Sequence, residues 1–194
     1  MGPLQTQLES LDRKATVKEI VLIKEAIVGF ALRNGRIPCP DTGSDGVEDI
    51  SSGSCANAEG MLPWATLGVG RLDGWKRPFT YRVDTRFADT EDGSGCADDD
   101  VAGMSFEMCS TGDISVLDSK GGNTVASGAP AVIISHGKNW PQTAGNDEGE
   151  NQDSDVEFVD KTYASGGSNN YDDIIGWLNM NNLIANMVAA EKLP

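Results

Sequence analysis

The stretch Leu4–Asn34 constrains this chain more than any other, because its apolar positions keep a helical spacing for about thirty residues and then stop abruptly. Leu4, Leu8, Leu11 and Ala15 step by three and four, and Val17, Ile20, Ile23, Ile27 and Phe30 resume the rhythm after a small shift. Up to Lys18 the apolar stripe is narrow and flanked by Gln, Glu, Asp, Arg and Lys, the pattern of a helix standing partly in water. From Ile20 to Leu32 apolar residues fill most positions, so this half is expected to press against a sheet. Asn34-Gly35 is a suitable stop, since glycine takes the left-handed cap without a Cβ clash, and Pro38 and Pro40 prevent a restart. An amphipathic half-helix with few long-range partners frays in water. Met1–Ala15 is therefore expected to be the lower part of a helix that continues upstream.

The 194 residues suit one domain, with 1–34 as a helical stem and 35–194 as a globular head. The net charge of −15, from 30 acidic and 15 basic residues, repels phosphate backbones and anionic membrane surfaces, so no nucleic-acid partner is expected. No stretch approaches the ~20 apolar residues of a membrane span. The cysteines fall into two local pairs, Cys39 with Cys55 and Cys96 with Cys109. None has C-x-x-C spacing, and a single His cannot complete a Cys/His metal set. Two disulfides are expected, hence an oxidising compartment; four cysteines allow three connectivities, and the spacing does not choose among them.

Beyond the stem, Thr42–Glu59 reads as an irregular acidic loop. Phe79, Tyr81, Val83 and Thr85 alternate with polar neighbours and predict a half-buried strand within Arg77–Phe87. Phe106–Cys109 and Asp113–Leu117 predict short strands, and APAVIISHG, nearly continuous in apolar residues, a central one. Lys138–Asn170 is polar, glycine-rich and too long for an ordinary connection. DDIIGWLN returns to strand, and NNLIANMVAAEKL predicts a closing helix with Leu183, Ile184, Met187 and Val188 on one face.

The segments FALRNGRIPCP, GMLPWATLG with DGWKRPFTYRV, SHGKNW and DDIIGWLN resemble type IV pilins and type II secretion pseudopilins over most of the chain. The resemblance implies an α+β pilin-like roll: a long N-terminal helix packed on an antiparallel sheet of about four strands, with long loops and a short C-terminal helix. It implies a structural filament subunit of the cell surface or periplasm, not an enzyme. Its partners would be other pilin subunits, and it would be held in the inner membrane by an apolar half-helix upstream of Pro3. Leu4, Leu8 and Leu11 would then face the helices of neighbouring subunits. Many pilins bridge a C-terminal loop with one disulfide, whereas both local pairs here precede the last strands.

No organic cofactor is expected. Calcium is the sharpest reading of the acidic loops, because a hard cation takes six to eight oxygen ligands. Asp172 and Asp173 sit where the resemblance places calcium-binding aspartates, directly before the IIGW strand. DTGSDGVED supplies a weaker set, Asp41, Asp45 and Asp49; it matches an EF-hand loop only in part, with Gly43 third and Ser52 twelfth. NDEGENQDSD satisfies no such register. A calcium-dependent binding or adhesion module is accordingly the alternative function. Ser135-His136 lacks a nucleophile elbow and reads as a turn at the end of a buried strand. Of the four tryptophans, Trp75 and Trp177 are expected to be buried, and Trp140, in a polar loop, is the best candidate for exposure.

Overall fold

The computed structural model describes residues 3–92, 101–140, 146–165 and 170–194. Helix α1 spans Pro3–Asn34. Gly35 follows at φ +72° and closes the helix by donating to the Ala31 carbonyl at 2.8 Å. Two short strands, β1 (Ile50–Ser51) and β2 (Ser54–Cys55), form a small hairpin; β3 (Glu59–Met61) and the single turn α2 (Trp64–Leu67) come next. They are followed by β4 (Thr80–Val83), a 3₁₀ turn (Thr85–Phe87), β5 (Ile114–Leu117), β6 (Thr124–Ala129) and β7 (Ala131–Ser135). The chain closes through α3 (Asp147–Glu150), β8 (Glu157–Val159), β9 (Ile174–Trp177) and α4 (Met180–Ala189).

The main sheet is antiparallel in the order β3-β4-β7-β9, and a second sheet runs β6-β5-β8. The chain is thus mixed α+β, with a long first helix and small sheets. β7 shows why APAVIISHG is apolar throughout. Ala131 and Ile133 point to the core shared with Ile20, Ile23, Ile27 and Phe30 of α1, while Val132 and Ile134 join Ile114 and Phe158 of the second sheet. A strand covered on both faces has no polar side to show. α1 reaches β9 closely because residue 176 is glycine; a Cβ there would lie 2.3 Å from Ile20 Cγ2. Losing a fully buried contact such as Ile27 to alanine costs about 2–5 kcal/mol.

Several expectations are corrected. Phe106–Cys109 is not a strand: Ser110 N donates to the Glu107 carbonyl and Glu107 N to Ser110 Oγ, so its backbone is spent on a turn that tucks Phe106 against Phe87. The strand expected within Arg77–Phe87 is only four residues long, because Asp84 ends it by capping the 3₁₀ turn through Arg86 N. The second sheet is not wholly antiparallel, since β5 and β8 run parallel. In α4, Leu183 and Met187 are buried but Val188 is exposed. Trp75 and Trp177 are half-buried rather than enclosed, while Trp140 is exposed as expected. Among the described residues, no helix is long and apolar enough to cross a membrane.

A candidate metal centre of buried carboxylates

Ser135 at the end of β7 lies opposite Ile174 at the start of β9. This register brings the turn His136–Asn139 beside Asp172 and Asp173. The third carboxylate arrives from α3, where the Asn146 side chain accepts from Gly149 N at 2.6 Å and so caps the single turn that carries Glu148. One oxygen each of Glu148, Asp172 and Asp173 lies within 4.8 Å of the others, and all three residues are buried.

The surrounding hydrogen bonds fix these groups without completing them. Glu148 Oε1 accepts from Asp172 N at 2.7 Å and Glu148 Oε2 from the Asn139 amide at 3.0 Å. Asp172 Oδ2 accepts from Lys138 N at 3.0 Å, and Asp173 Oδ2 from the Asn151 amide at 2.8 Å. Asp172 Oδ1 and Asp173 Oδ1 are buried with no hydrogen-bond partner. Gly137, at φ +59°, makes the arrangement possible, since a Cβ there would stand 2.3 Å from Asp172 Oδ1.

The charges are equally incomplete. Burial, reinforced by Glu148 and Asp172, pushes the Asp173 carboxyl up to about 8. Burial also raises Asp172 and Glu148 above the ordinary carboxylate range. His136, 4.0 Å from Asp173 Oδ2, supplies no compensating charge, because burial and then Arg77 lower it to about 4 and its Nε2 engages Thr80 Oγ1. Among the described residues, no Lys or Arg pairs with any of the three carboxylates. Three converging carboxylates, with Asp172 Oδ1 and Asp173 Oδ1 unpaired, offer oxygen ligands of the kind a hard divalent cation such as calcium takes. A soft metal would seek thiolates instead, and both cysteines of the first pair are committed elsewhere.

The Asp41, Asp45 and Asp49 set behaves differently. The three converge around Gly43, but their oxygens are turned onto the backbone. Asp41 accepts from Gly43 N, Ser44 N and Gly46 N at 2.6–2.8 Å, Asp49 from Thr42 N at 2.6 Å and Gly43 N at 3.1 Å, and Asp45 from Val47 N at 2.9 Å. The Thr42 hydroxyl and amide hold Asp49 below the ordinary carboxylate range. A third acidic group, Glu150 with Asp153 and Asp155, is mostly exposed, and the Lys120 ammonium sits on Glu150.

Cys39 and Cys55 form a disulfide that ties the loop after α1 to β2. Cys109 is also disulfide-bonded, while Cys96 lies outside the described residues. Leu8 and Leu11 are 53% and 60% exposed on the lower stem; the Leu4 side chain lies outside the described residues. Ser135 and His136 turn to different partners, Ser135 Oγ donating to Asp73 Oδ2 at 2.6 Å. Glu148 escaped sequence reasoning, since nothing in the spacing from 148 to 172 announces a common site. The Asn146-x-x-Gly149 cap was the one local signal of the turn that delivers it. No family profile, curated protein or solved structure matches this chain.

Proposed function

We propose that this chain is the stem and head of a filament subunit of the type IV pilin or pseudopilin kind, working outside the cytoplasm as a structural component. The observation that carries this reading is the contrast along α1. Ile20, Ile23, Ile27 and Phe30 are buried against the head, whereas Leu8, Leu11, Val17, Val21 and Leu22 stand exposed. Exposed apolar residues at helical spacing are costly to leave in water, and neighbouring stems packed side by side in a filament would cover them. The inner-membrane anchor and the pilin-like roll belong to this reading as its expectations. Replacing Leu8 and Leu11 together by Glu in the natural gene is expected to abolish surface filaments while leaving the melting temperature of the purified chain within a few degrees of the parent. Filaments that persist would refute the reading.

A second observation favours a cation in the head. The unpartnered oxygens of Asp172 and Asp173 in a buried three-carboxylate cluster support a structural calcium site that fastens α3 to the turn after β7 and to the start of β9. Such a site is compatible with the filament role and would also support the alternative, a calcium-dependent binding or adhesion module. Calcium titration of the purified chain tests it.

A further inference from the structure

The stem carries a groove of about 840 Å³, lined by Glu9, Arg13, Lys14, Val17 and Lys18 of α1 and by Tyr163. Its charge is contrary to that of the molecule. The helix has five basic and four acidic residues, leaving ten basic and 26 acidic residues for the rest of the chain. In so acidic a protein, basic side chains usually find carboxylates, yet Arg13, Lys14 and Lys18 form no ion pair among the described residues. Lys14 and Lys18 stand one helical turn apart, where like charges repel. Glu9, the nearest acid on that face, is already engaged by the Tyr163 hydroxyl at 2.7 Å and lies 4.0 Å from Lys138 Nζ. The Arg13 guanidinium stacks 4.3 Å from the Tyr163 ring centroid, and its buried Nη1 has no hydrogen-bond partner. Val17, half exposed, supplies an apolar floor.

The complementary surface lies on the head. Asp153 and Asp155 are exposed on the loop before β8, beside Glu157, and neither is in an ion pair among the described residues. The loop has a fixed shape: the Ser154 carbonyl accepts from Arg82 Nη1 at 3.0 Å, and the Ser154 hydroxyl donates to Glu59 Oε1 at 3.0 Å.

We infer that the stem groove receives the acidic loop 153–155 of a second copy of this chain, with Lys14, Lys18 and Arg13 facing Asp153 and Asp155. Groove and loop are different surfaces, so the contact is head-to-tail and, in the filament reading, repeats from subunit to subunit. Opposed charges at such a contact set register and partner choice more than affinity. The inference rests on the filament reading, since a neighbour must approach the stem.

The experiment mixes isotope-labelled and unlabelled full chain at low salt, applies a zero-length carbodiimide cross-linker, and identifies joined peptides by mass spectrometry. Expected are cross-links between Lys14 or Lys18 of one copy and Asp153 or Asp155 of the other, reduced at least roughly tenfold in Lys14→Glu/Lys18→Glu or in Asp153→Lys/Asp155→Lys. Mixing the two charge-reversed variants is expected to restore intermolecular joining, now through the swapped charges. No intermolecular cross-link between these regions overturns the inference. Self-association that charge reversal leaves unchanged also overturns it, but leaves the filament reading standing, because stems would then meet through their apolar stripe.

Discussion

Two acidic regions of this protein look alike in composition and differ in what their oxygens touch. In the loop 41–49, Asp41 is buried, yet three backbone N–H groups satisfy it, and Asp49 is likewise engaged. Around Glu148, Asp172 and Asp173 each carboxylate is positioned by one or two donors, while Asp172 Oδ1 and Asp173 Oδ1 remain without a partner. The first loop uses carboxylates to finish its own turns, as aspartates do where the chain reverses. The second holds them at a cost in desolvation that a proton on Asp173 meets in part and a bound cation would offset further. Counting acids cannot separate the two; accounting for each oxygen does.

The sharpest way to break this contrast is Gly137→Ala. A Cβ at φ +59° strains the backbone and strikes Asp172 Oδ1, so the variant is expected to lose about 3 kcal/mol and to melt alike with and without calcium. Chemical denaturation in both conditions checks this; a variant as stable as the parent would show that Asp172 is free to move away. Next in size is Asp41→Ala, which strands three N–H groups. A loss of about 2 kcal/mol is expected, equal in calcium and in chelator, because this loop is complete by itself.

A smaller effect follows from protons. The Asp173 carboxyl is raised to about 8, so the native state holds a proton that the unfolded chain has released, and stability falls as pH rises toward 8. His136, lowered to about 4, acts in the opposite direction but only below its unfolded value near 6.5. Between pH 6.5 and 8.5, therefore, the melting temperature in chelator is expected to fall with pH, and saturating calcium is expected to flatten that slope. A slope unchanged by calcium would separate Asp173 from the cation. The least effect belongs to Asp45→Ala: this exposed residue accepts one N–H, and its removal is expected to change stability by about 0.5 kcal/mol or less.

Much of the scaffold was legible because it rests on periodicity. The buried half of α1, the doubly covered β7 and the edge strand β9 all announce themselves through apolar spacing, and Gly35 with Pro38 marks where the stem ends. β6 did not: Thr124–Ala129 is made of small residues with no apolar alternation, and becomes a strand because β5 offers it a partner. β8 lay hidden in the polar segment after Lys138 for the same reason, being recruited in parallel by β5 across forty residues of sequence. Of the site, Asp172 and Asp173 were visible beside their strand. Glu148 was not, since a one-turn helix leaves almost no periodic trace and its contact with Asp172 depends on the fold. The opposite fate of Asp41 and Asp49 was equally invisible, because whether a carboxylate faces backbone N–H groups or an empty space is set by loop geometry.

The central claim, that the carboxylate cluster is completed by a divalent cation, is tested most directly by thermal melting of the purified chain in chelator and in calcium. At calcium about a hundredfold above its dissociation constant, binding adds about 2.7 kcal/mol, an upward shift of about 5–10 °C for a chain of this size. The shift is expected to vanish in Asp172→Asn/Asp173→Asn. An unchanged melting temperature at millimolar calcium, or an equal rise in that double variant, would contradict the account.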